Sequence, residues 1–238
     1  LVASPEEVCT EVLPGNSEEG IFEVCYDDSR GEYKDFGSYI GGTVEKWPVL
    51  KGTTPASRRK FFIRNETVER LYTPEDLRLQ AYFADLFRMK EEPVSVTQGA
   101  AYVRMWREVE YYSGGIYDGT PRTLLANDIL IRLPDILLLR AEMKAATGDR
   151  EGAVADLDVV RRRAGVAGYS EAEGDLRRAI QLERDRELLF QTGVRYFDYM
   201  RNHTYNLLKG GFRDLTETDV AAGALFLPVS LDAMNNNP

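Results

Sequence analysis

The chain has 238 residues, 43% hydrophobic and 29% charged, with 30 Lys and Arg against 39 Asp and Glu, a net charge of −9. An acidic chain with a pI near 4.9 lacks the cation excess that phosphate neutralisation requires, which argues against nucleic-acid binding. Mean hydropathy of −0.37 and the lack of any run near the roughly 18 apolar residues of a bilayer span exclude a membrane-spanning helix, and one histidine with two cysteines excludes clustered His/Cys zinc sites.

Residues 1–126 read as a loop-rich segment, dense in Gly, Tyr, Thr, Pro and Asp. Ile21 to Tyr26 is a β-prone run closed by Asp27-Asp28-Ser29, which predicts one strand and a turn. Gly37 to Gly42 and Gly114 to Gly119 read as loops with embedded aromatics. Within Thr73 to Met89 a short helix is expected, with Thr73 as N-cap and Pro74 in its first turn. Residues 127–202 read as a helical scaffold. Pro134 opens a helix running to Gly148, the C′ residue, and Asp149 caps the next. That second helix carries Ala153, Leu157, Val160 and Ala164 as an apolar stripe and stops at Gly165. A third helix starts near Asp175, runs through Ile180 and Leu188 towards Gly193, and resumes through Tyr196 to Met200. Residues 203–238 form a C-terminal docking tail. The fold class is mainly α: a helical hairpin like a tetratricopeptide repeat, a long helix, and a weakly β segment in front. Small residues at Ala141 and Ala153, with Leu157 following, fit the close crossing of such a hairpin. A lone hairpin of this kind must pack on further helices, because such repeats bury a core only in stacks.

The motifs of the second half carry a family resemblance. Ile131 to Glu142 resembles the R-L-A-D-[IV]-L-L-x-x-A-E signature of the SusD/RagB family. Gly148 to Gly165 is similar to its G-x-x-x-x-A-x-x-x-L-x-x-V-R-x-R-A-G segment. Ile180 to Arg201, with Glu183-Arg184, Arg186-Glu187-Leu188 and Arg195-Tyr196-Phe197-Asp198, resembles I-x-x-E-R-x-x-E-L-x-x-E-G-x-R-x-[FW]-D-x-x-R. Phe226 to Val229 with Asn237-Pro238 resembles the closing segment, and Glu19 to Val24 and Tyr72…Asp76-Leu77-Arg78 fit weaker elements. Two positions depart from the pattern: Gln191-Thr192 lengthens the stretch before Gly193, and Ser230 replaces a second proline. The resemblance implies an outward-facing nutrient-binding lipoprotein of a bacterial outer membrane. It implies oligosaccharide capture, delivery to a TonB-dependent (SusC-like) transporter, no cofactor and no catalysis. It also implies that the family's amino-terminal half, with the lipid anchor, lies outside this chain, which begins at Leu1.

Several residue groups offer chemistry. Glu183 and Glu187, four apart on the third helix, pair two carboxylates as a glycoside hydrolase would. The structural alternative neutralises them with Arg184, Arg195 or Arg201. Asp27-Asp28 and Asp118 with Asn127-Asp128 offer hard oxygen ligands without EF-hand spacing, and turn chemistry accounts for them equally. His203 follows the last helix with no catalytic partners in sequence, and no metal ligands are assigned. Cys9 and Cys25 either form a disulfide or leave Cys25 as a small buried strand residue. Trp106, between Val103 and Val109, reads as core. Loop aromatics suit sugar recognition, because a flat ring covers the C–H face of a pyranose. Trp47 and Tyr39 are the first candidates, then Tyr111, Tyr112 and Tyr117. Beside glycan capture stand two alternatives: a repeat-type protein-interaction scaffold without sugar binding, and a glycoside hydrolase using Glu183 and Glu187.

Overall fold

A computed structural model describes residues 1–30, 63–83, 101, 105, 127–191, 194–207 and 215–225. The chain divides into two compact units, Leu1–Thr192 and Gly193–Pro238.

In the first unit, Ser4 caps a helical turn, α1 (Pro5–Glu7), by accepting from the Glu7 N–H at 3.2 Å. A π-helical turn, Val8–Val12, continues it and buries Val8, Cys9 and Val12. Strand β1 (Gly20–Val24) pairs antiparallel with β2 (Asp128–Arg132), with Gly20 opposite Arg132 and Val24 opposite Asp128. The strand expected over 21–26 is thus present but ends before Cys25. Its partner β2 is a strand that local periodicity did not announce, because Asp128–Arg132 runs directly into the next helix. Two short helices, α2 (Asn65–Leu71) and α3 (Leu77–Tyr82), lie between them in sequence. α3 starts later than expected: the Asp76 N–H bonds the Thr73 carbonyl in a turn, and buried Asp76 becomes the cap by accepting from the Arg78 N–H.

The helical scaffold follows the sequence closely. α4 (Leu133–Thr147) has Pro134 in its first turn and stops at Gly148, whose φ of 91° needs a residue without Cβ. Asp149 caps α5 (Arg150–Arg163) by accepting from the Gly152 N–H at 2.9 Å. Leu138 and Ala141 of α4 meet Ala153, Leu157 and Val160 of α5, all fully buried. The hairpin does not stand alone: Leu176, Ala179 and Ile180 of α6 (Leu176–Glu187) close the same cluster. A second cluster joins the π-turn to α2, α3 and Ile129 of β2. α6 ends at Glu187 rather than running on to Gly193. The Arg132 guanidinium takes the Glu187 carbonyl that would otherwise extend the ladder, and Phe190 turns the chain at a φ of 59°.

In the second unit, α7 (Val194–Arg201) buries Asp198 and Tyr199 and leaves Tyr196 and Phe197 exposed. His203, at a φ of 53°, ends it with an N–H bond to the Met200 carbonyl. α8 (Glu217–Ala221) opens on a capping box between Thr216 and Asp219. The closing motif residues Phe226 to Val229 and Asn237-Pro238 lie outside the described residues.

Candidate functional site

Glu183 and Glu187 project from α6 into the interior, where both are 0% exposed. A buried carboxylate persists only when charge-paired and hydrogen-bonded, and the partners come from three other segments and from α6 itself. Arg78 donates to Glu183 at 2.7 Å and to Glu187 at 3.3 Å, and its other edge forks onto Asp76. Arg132 reaches a Glu187 oxygen at 2.6 Å and donates to Glu19 at 2.8 Å. Arg163 bonds Glu187 and forks onto both oxygens of Glu19 at 3.0 Å. Arg161 and Arg186 approach the second Glu183 oxygen at 3.4 Å, and Arg161 also forks onto Glu173 at 2.8 Å.

The electrostatics follow from this packing. Burial alone would raise the Glu187 carboxyl, but Arg163, Arg132 and Arg78 reverse that and hold it at about 2. Arg78 and Arg163 pay for burial with lowered basicity, which Glu183 and Glu187 respectively, with their other acidic neighbours, more than restore. The Tyr82 hydroxyl is raised by burial and by Glu187 nearby.

This arrangement is a structural lock. A general acid needs a pKa near the working pH and access to the glycosidic oxygen; Glu187 is ionised far below neutrality and both carboxylates are sealed from solvent. The structural alternative for the pair therefore holds, with a correction to the partners. The neutralising arginines are Arg78, Arg132, Arg161, Arg163 and Arg186. Arg184 instead donates to the Asp135 carbonyl and carboxylate, Arg201 pairs with Asp198, and the Arg195 guanidinium lies over the Tyr199 ring. The sequence did hold a signal: Arg78, Arg132, Arg161, Arg163, Glu183 and Glu187 all lie within the segments that carry the family resemblance.

The remaining sequence candidates separate cleanly. Asp27 accepts from the Ser29 N–H and hydroxyl and pairs with Arg30, as turn chemistry predicts. Asp128 accepts from the Tyr26 hydroxyl at 3.0 Å, and the Asn127 amide donates to Glu23 at 2.7 Å. Among the described residues, no three His, Cys, Asp or Glu side chains are placed to hold a metal ion. Both alternatives for the cysteines are corrected: Cys9 and Cys25 are not bonded to each other, Cys9 is the buried one with its thiol on the Ala81 carbonyl at 3.6 Å, and Cys25 is exposed just past β1. The candidate stacking residues Tyr39, Trp47, Tyr111, Tyr112 and Tyr117 lie outside the described residues, as do Asp118 and Trp106.

Comparison with known proteins now bears on this geometry. The model of the SusD family matches residues 80–237, well over half of the chain. No curated protein matches. A SusD homolog of Bacteroides thetaiotaomicron VPI-5482 shares the fold at a TM-score of 0.77 and 24% identity, over 98% of this chain and 48% of that one. Surface glycan-binding protein A of Bacteroides thetaiotaomicron matches at 0.62 and 20%, over 95% and 55%. A SusD superfamily protein of Bacteroides fragilis NCTC 9343 matches at 0.63 and 18%, over 100% and 53%. The chain thus spans about half the length of these structures. With the buried network formed by the motif residues and a family match that includes α4 to α7, the chain belongs to the SusD family.

Proposed function

We propose that the chain is part of a cell-surface protein that captures an oligosaccharide and hands it, unmodified, to a TonB-dependent transporter of the outer membrane. Family membership carries this reading. The fold shared with a surface glycan-binding protein supports it. The sealing of Glu183 and Glu187 removes the carboxylate pair on which a hydrolase mechanism would rest. Trp47 and Tyr39 are the proposed stacking residues, with Tyr111, Tyr112 and Tyr117 as further candidates. Membrane attachment would come through a lipid anchor, on the outward-facing surface. A glycan array screened with the full-length protein tests the reading. Saturable binding of an oligosaccharide class supports it, and a protein that ignores every glycan favours the repeat-type interaction scaffold instead.

A further inference from the structure

We draw no further inference here: the strongest candidate, the exposed apolar surface of strand β1 at Ile21, Phe22 and Val24, carries nothing because nothing in the structure shows what covers it.

Discussion

Glu187→Gln tests the buried network most sharply, because it removes one charge and almost no volume. In the native protein that carboxylate is 0% exposed and faces Arg78, Arg132 and Arg163. Lowering its pKa from 4.5 to about 2 corresponds to about 3 kcal/mol, at about 1.4 kcal/mol per tenfold in proton affinity. Breaking a buried pair by deleting one partner costs about 3–5 kcal/mol, so the two routes agree. Because the folded pKa is depressed, this stabilisation is fully present above the ordinary carboxyl value. It fades as pH falls from there towards 2. Urea denaturation at a series of pH values reads both effects. The variant is expected to unfold at much lower urea at pH 7, and its deficit against wild type should shrink steadily as the solution is acidified through that window. A variant as stable as wild type at pH 7, or a deficit that stays constant down to acid pH, refutes the assignment of Glu187 as the centre of an ion network.

Two further outcomes follow from the same structure and a third from the proposed function. Gly165→Ala should cost about 1–3 kcal/mol in chemical denaturation, since Gly165 sits at a φ of 72° with Leu77 at 2.8 Å from the added Cβ. Ala153→Leu should destabilise by about 1–3 kcal/mol by forcing apart the closely crossed α4 and α5, read as a lower melting temperature. Trp47→Ala should weaken glycan affinity about tenfold in calorimetry with an unchanged melting temperature, as loss of one stacking face predicts.

The scaffold was legible in the sequence where its signals are local. The cap at Asp149, the stop at Gly148 and the stripe Ala153, Leu157 and Val160 each act within one or two turns, and each holds in the structure. Strand β2 was not legible, because it is stabilised by pairing with residues 20–24, far upstream. The end of α6 was misplaced for a related reason: Arg132, 55 residues away, intercepts its last carbonyl. The charge network shows the same limit. Glu183 and Glu187 stand out by spacing, yet Arg78 lies 105 and 109 positions from them. Proximity in sequence therefore nominated Arg184, while topology brought Arg78. Only the family resemblance placed these residues in one set of motifs, without saying that they touch.

The proposed function is capture of a sugar without turnover. Titration calorimetry of the full-length protein against xylo-, manno-, cello- and malto-oligosaccharides of four to six units, taken as the sugar panel, tests it directly, since binding and hydrolysis leave different heat signatures. A saturable isotherm for at least one sugar class is expected, with heat returning to baseline after every injection. Sustained heat after injection, or no isotherm with any sugar of the panel, would contradict it.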